Sequence, residues 1–236
     1  MSKVKNYFNY PICLHKDLFF SPFDALNNMF DFAIVAYAVS LNGAKKERLK
    51  YAENHFGVTV GNSEKVYQNG LILQNYTHPM PFVGINKEIW FDYYKNIDDK
   101  TEYQIALLAA HQAIKSILGQ KATTKTNKQM IVARMFGFTS PKEIKEPSEL
   151  MQKYSQRYWM DKLITDLELN WNLKTFSNHL RGMYVSYDLK YTDLARISET
   201  SKQSAKVKNL KALKKQALQA VTDNVTDNYL SVTDTS

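Results

Sequence analysis

The sequence predicts an α+β protein, mainly α, in which one order of elements occurs twice. Three observations carry this expectation. Apolar residues recur at helical spacing in several separate stretches. Each group of three such stretches runs into a segment where apolar and polar residues alternate, as in a half-buried strand. The two groups are separated by a short polar break, Asn96-Ile97-Asp98-Asp99-Lys100.

The first helix opens at Ser21-Pro22-Phe23-Asp24, with Ser as cap and Pro in the first turn. Leu26, Met29, Phe30, Ala33, Ile34, Tyr37 and Ala38 follow at helical spacing until Asn42-Gly43. A second helix covers about 45–56 and ends at Gly57. A third starts at Asn62-Ser63 and places Val66, Tyr67, Gly70, Leu71 and Leu73 on one side. After His78-Pro79, the alternation of residues 82–91 mixes strand with a short helix.

The second group starts with a helix over about 102–118 that ends at Gly119. The Thr126-Asn127 cap opens the next, which carries Met130, Ile131, Ala133, Arg134 and Met135 to Gly137. A loop containing Pro141 and Pro147 leads to a helix over about 155–171, with Met160, Leu163, Ile164 and Leu167 as its core face. From Leu173 the apolar residues alternate, Ser177-Asn178-His179-Leu180-Arg181-Gly182 forms a turn, and Met183, Val185 and Tyr187 alternate again. A helix followed by such a hairpin has the form of a recognition helix with its wing. The expected organisation is therefore two tandem winged-helix-like units, 1–98 and 101–198, followed by a basic helix and a partly disordered tail over 199–236. The duplication rests on element order alone, since the two halves share few letters.

The chain has 236 residues, 44% hydrophobic and 13% aromatic, which suffices for real cores. Its net charge of +8 and pI near 9.3 fit either an anionic partner such as nucleic acid or a lysine-rich solvated surface. Between Ser201 and Val221 stand Lys202, Lys206, Lys208, Lys211, Lys214 and Lys215 with no acid. The Val-Thr-Asp tetrads beyond Val221 are polar and repetitive, a composition of disorder. The single cysteine, Cys13, excludes an internal disulfide and reads as a packed small hydrophobe. The longest apolar run, 32–39, is far shorter than the ~20 residues of a membrane span. The chain is accordingly expected to be cytoplasmic, with no membrane partner.

Catalytic signatures do not appear. The histidines stand at 15, 55, 78, 111 and 179, so no pair has metal-ligand spacing. Neither a glycine-rich phosphate loop nor a nucleophile elbow is present. Asp98-Asp99 reads as solvated caps, and His179-Leu180-Arg181 only faintly matches the His-x-x-Arg box of tyrosine recombinases. No enzymatic activity and no cofactor are expected.

A DNA-binding constellation is better represented. The start of the 155–171 helix places Lys153, Ser155, Gln156 and Arg157, with Tyr158 and Lys162, where free N–H groups and base-reading side chains cluster. The hairpin adds Lys174, Asn178, His179 and Arg181 around its tip. Asp161, Asp166 and Glu168 lie further along, held off the DNA backbone. In the first half Asn62, Ser63 and Lys65 play the analogous part, with Lys45, Lys46, Arg48 and Lys50 on the supporting helix. Lys202, Lys206 and Lys208 supply sequence-independent phosphate contacts. The aromatics Tyr7, Phe8, Phe19, Phe20, Phe23, Trp90, Phe91, Tyr93 and Tyr94 are assigned to the core.

Two tandem winged helices over 1–198 with a basic tail resemble the replication initiators of iteron-type plasmids. The resemblance lies in architecture and pattern. It implies that one unit contacts the DNA backbone and forms a homodimer, here through the first domain, while the other reads the major groove. The reading helix carries Arg157 with Lys153 and Lys162, where that family tends to be arginine-rich. The expected function is sequence-specific binding of double-stranded DNA, as a replication initiator or regulator of a plasmid, phage or other mobile element. The alternative is a phage structural or assembly protein whose basic surface and tail bind nucleic acid or an acidic partner non-specifically.

Overall fold

Long apolar helices must be covered on every side, and two of them organise the architecture. In a computed structural model, which describes residues 6–75, 80–177 and 182–233, these are α1 (Pro22–Val39) and α5 (Glu102–Leu118). The protein is mainly helical with two small antiparallel sheets, as the sequence predicts at that level.

Helix α1 buries Leu26, Met29, Phe32, Ile34 and Val35, residues that do not share one face. It is covered by α2 (Lys45–Phe56), α3 (Ser63–Asn75) and the strand β1 (Tyr7–Pro11). Pro22 supplies its first turn, but the Ser21 hydroxyl makes no capping bond, contrary to expectation, because Ser21 departs from the extended geometry a cap requires (φ −139°, ψ 68°). Helix α2 ends as expected at Gly57, whose φ of 62° is left-handed. The α1–α3 contact depends on Gly70: a Cβ there would meet the Val35 side chain and come within 2.7 Å of the Asp31 carbonyl oxygen. Beside it, Asn69 Nδ2 donates to buried Asp31 at 2.7 Å.

Strand β1 pairs with β2 (Phe82–Asn86), Phe8 opposite Ile85 and Tyr10 opposite Val83, all four buried. Helix α4 (Lys87–Lys95) follows directly and drives Trp90 into a cluster with Phe8 and Phe30, its Nε1 donating to the Leu26 carbonyl at 3.0 Å. Of the aromatics assigned to the core, Phe8, Trp90 and Tyr93 are buried. Tyr7, Phe20 and Phe23 are exposed instead, because they fall on the outer face of β1, at a turn and at the start of α1.

Helix α5 starts with a complete capping box between Thr101 and Gln104. After it come β3 (Thr124–Thr126), α6 (Lys128–Met135), α7 (Glu149–Ser155), α8 (Arg157–Asn170), β4 (Lys174–Phe176) and β5 (Met183–Ser186). The sheet order is β3-β5-β4, with Val185 between Thr124 and Thr175. The helix expected over 155–171 is α8, within two residues of its expected start, whereas the stretch before it, expected as a loop, holds the short helix α7. Helix α7 ends at Ser155, whose hydroxyl donates to the Met151 carbonyl at 2.6 Å, and Gln156 is extended (ψ 143°) before α8 begins. Lys153 and Ser155 thus belong to the preceding short helix.

Buried residues run without interruption from Phe8 to Val185, with Phe19 stacked on Phe136 at 4.5 Å, so the two expected halves share a core. The polar break at 96–100 is a single 3-10 turn, Ile97–Asp99. From Lys190 a separate unit begins, formed by helix α9 (Tyr191–Thr233). It starts inside the range expected for the second domain.

The interior also holds a neutral histidine. His15 is fully buried, its Nε2 3.0 Å from the Tyr10 hydroxyl, and burial lowers its pKa to about 4. An unfolded chain would take up that proton near 6.5, so stability rises with pH between about 4 and 6.5 and falls on acidification through this window. The shift corresponds to on the order of 3 kcal/mol. Urea unfolding followed from pH 7 to pH 4 should show the midpoint dropping steeply below pH 6.5; a flat profile would contradict it. Separately, Gly70→Ala should destabilise the protein by about 1–3 kcal/mol by forcing α1 and α3 apart, read as a lower urea midpoint at unchanged m-value.

Candidate nucleic-acid interface

The candidate site is built on α8. Met160, Leu163, Ile164 and Leu167 form its buried face, as their spacing predicts. Its opposite face starts with Arg157, whose side chain is 93% exposed, followed by exposed Tyr158. Arg157 Nε lies 3.4 Å from Asp161 Oδ2, a long contact that leaves the guanidinium largely in water. The stronger partner of Asp161 is Lys128, at the start of α6, which bonds its other oxygen. Lys128 is the first cause of the depressed pKa of Asp161, and Arg157 contributes less. Lys128 thus belongs to the α8 surface although sequence reasoning passed over it. Its only signal was its place just after the Asn127 cap, where the Asn127 side chain accepts from Met130 N at 2.8 Å.

The other basic residues expected at this surface differ in how far they are committed. Lys153 donates to Glu102 at 2.8 Å, and the Tyr154 hydroxyl donates to the same oxygen, also at 2.8 Å. These bonds hold the Glu102 carboxyl below its ordinary range, Lys153 foremost. Lys153 also lies over the Trp159 ring at 4.6 Å. Lys162 covers the Tyr103 ring at 4.6 Å and approaches Trp159 at 5.7 Å. The structure therefore gathers Lys153, Trp159, Lys162 and Tyr103 into one cation–aromatic group. The acids are likewise occupied: Asp166 accepts from the Tyr103 hydroxyl and Glu168 from the Thr175 hydroxyl, both at 2.6 Å. They brace α8 against α5 and β4.

Gln156 is exposed at the α7–α8 junction. Lys174 is half-buried on β4, its ammonium 3.0 Å from Asn172 Oδ1. Asn178, His179 and Arg181, expected at the hairpin tip, lie outside the described residues. In the first half Asn62 accepts from the backbone N–H of Lys65 at 3.0 Å and acts as a helix cap, while Ser63 and Lys65 are exposed. Lys45 pairs with Glu64, and Arg48 donates to the Tyr67 hydroxyl at 3.1 Å, so two of the basic residues on α2 serve to join it to α3. On α9, considered by itself, Lys202, Lys206 and Lys208 are all exposed, with Val207, Leu210 and Leu213 exposed among them.

No protein-family model, curated protein or solved structure matches this chain. Among the described residues no group of three or more His, Cys, Asp and Glu could hold a metal ion, and no helix is long and apolar enough to cross a membrane. Cys13 is half-buried, and burial raises its thiol pKa.

The arrangement around Asp161 can be checked directly. Lys128→Met should raise the Asp161 pKa toward the ordinary carboxylate range, whereas Arg157→Ala should move it less. Carboxyl NMR titration of both variants measures the difference; equal shifts would assign the two cations equal parts.

Proposed function

We propose that this protein binds double-stranded DNA sequence-specifically, without catalysis, as a replication initiator or regulator of a plasmid, phage or other mobile element. The observation that carries the reading is the order of the second half once the short helix α7, between α6 and α8, is set aside as an insertion: helix α5, strand β3, helix α6, helix α8, then the β4–β5 hairpin, with β5 central in the sheet. A winged helix has this order, with its recognition helix directly before the wing. Residues 1–98 are read as the companion unit from α1, α2 and α3 with a small sheet, although that sheet pairs β1, ahead of α1, with β2, so the order of the second half is not repeated. That unit would provide backbone contact and homodimerisation.

On this reading Arg157, Tyr158 and Gln156 meet the major groove, Lys128 and Lys174 meet phosphates, and Lys153 and Lys162 shape the surface through Trp159. Exposed Arg157 is the side chain most available for a bidentate contact to guanine. The lysine row of α9 favours a second reading, a structural or assembly protein that binds nucleic acid without regard to sequence.

Selection of a preferred duplex from random DNA, followed by titration over a range of salt concentrations, tests the proposal. Binding should fall steeply with salt, and Arg157→Ala should cost about 1–3 kcal/mol on the preferred site while leaving random DNA little changed. Lys202→Ala should act mildly and equally on both. Deleting residues 199–236 should spare the preference. Loss of all binding on that deletion would favour the assembly reading, and absence of duplex binding at low salt would end the DNA-binding one.

A further inference from the structure

A cleft of about 1320 Å³ lies away from the start of α8, between the β1–β2 sheet and the end of α5. It is closed on its other side by Trp171, just past α8, and by Tyr187, just past β5. Its size exceeds the ~300–1,000 Å³ that suits a drug-sized ligand, so it has room for such a body with solvent.

Three features of its lining belong together. Lys115, half-buried, holds its ammonium 5.1 Å from the Tyr7 ring centre and 6.0 Å from that of Tyr187, with no carboxylate at ion-pair distance among the described residues. His111, only 5% exposed, packs against Trp171 at 4.4 Å and Tyr187 at 4.9 Å, and its Nδ1 has no hydrogen-bond partner. The Tyr187 hydroxyl is also unpartnered. Buried polar atoms are ordinarily satisfied, and although others without a partner occur elsewhere in the protein, these two belong to residues lining the cleft beside an unpaired cation. Burial holds His111 neutral, with a pKa near 3, and the neighbouring Lys115 charge acts in the same direction. Lys121 adds a second, exposed cation at the rim, and Asp188 is the one carboxylate in the lining.

Aromatic faces around a cation, with unmet hydrogen bonds, fit a flat ring joined to an anionic group. We propose that the cleft binds a free nucleotide, its phosphates on Lys115 and Lys121 and its base among the rings of Tyr7, Trp171 and Tyr187. Stacking and cation contacts of this kind tolerate any base. The site uses none of the residues assigned to duplex DNA, so it stands whether or not that assignment does.

Isothermal titration of the full chain with ADP, GDP, CDP and UDP in turn, without DNA, tests the proposal. At least one should bind saturably, one per chain, and its parent nucleoside and inorganic phosphate should each bind about tenfold or more weakly. Lys115→Met should weaken the nucleotide by about tenfold or more, while Lys145→Ala, at an exposed lysine outside the cleft, leaves it unchanged. Binding by none of the four, or binding indifferent to Lys115→Met, overturns the proposal. Should that variant fail to fold, photo-crosslinking the unaltered protein with 8-azido-ADP decides: label on peptides containing Tyr7, Trp171 or Tyr187 supports the cleft, and label confined to α9 or to any other segment refutes it.

Discussion

Enclosure of α5 is the constraint on which the rest of the structure depends. Ile105, Ala106, Leu108, Ala109, Ala110, Ala113 and Ile114 are all buried, on every side of the helix. Its four buried alanines allow close approach, so α6, α8 and both sheets pack against one helix, including β2 from the first half of the chain. No one neighbour could cover such a helix. Its burial therefore requires residues from both halves, and this is why the polar break at 97–99 interrupts the surface but not the core.

The same packing fixes the chemistry of the α8 surface. Once α5 and α6 hold α8 by its apolar face, Glu102 comes within reach of Lys153, Lys128 within reach of Asp161, and Tyr103 within reach of Asp166. Each of these pairs is partly solvated and stabilises the fold by little. Their larger consequence is orientation. They tie Lys153 and Lys128 to carboxylates, bring Lys153 and Lys162 to the Trp159 ring, and leave Arg157, with one long contact to Asp161, as a largely solvated cation at the helix start.

Buried polar groups divide the interior into satisfied and unsatisfied regions. Trp90 bonds to a main-chain carbonyl, and Asp31 is met by Asn69. His15 shares one nitrogen with Tyr10 while its Nδ1 lacks a partner. His111 differs because it has no such bond at either nitrogen in the described contacts and adjoins open space. A histidine kept neutral in the core is an ordinary packing solution, since burial disfavours the imidazolium. Unmet groups also occur in the core, at Gln112 and Thr126, and those of His111 and Tyr187 differ in belonging to residues that line a cleft.

The elements legible in the sequence were those whose pattern is local. The apolar spacing of α1, α5 and α8, the glycine stop at Gly57, the Asn127 cap and the alternation in β4 and β5 all reflect contacts within a turn or a strand. Strands β1 and β3 were missed, because each is short and becomes a strand only by pairing with residues far along the chain, Phe8 with Ile85 and Thr124 with Val185. Helix α7 was not legible because it is only seven residues long and follows a stretch punctuated by Pro141 and Pro147. Of the candidate site, Arg157 and Gln156 could be found from their place at a helix start, but the roles of Lys128 and Lys153 could not. By itself, then, the sequence determined a basic, mainly helical chain with its helix faces and most of its caps. Only the tertiary structure decided that the halves share a core, which cations are tied to carboxylates and which are free, and where a cleft remains, because each depends on side chains brought together from distant parts of the chain.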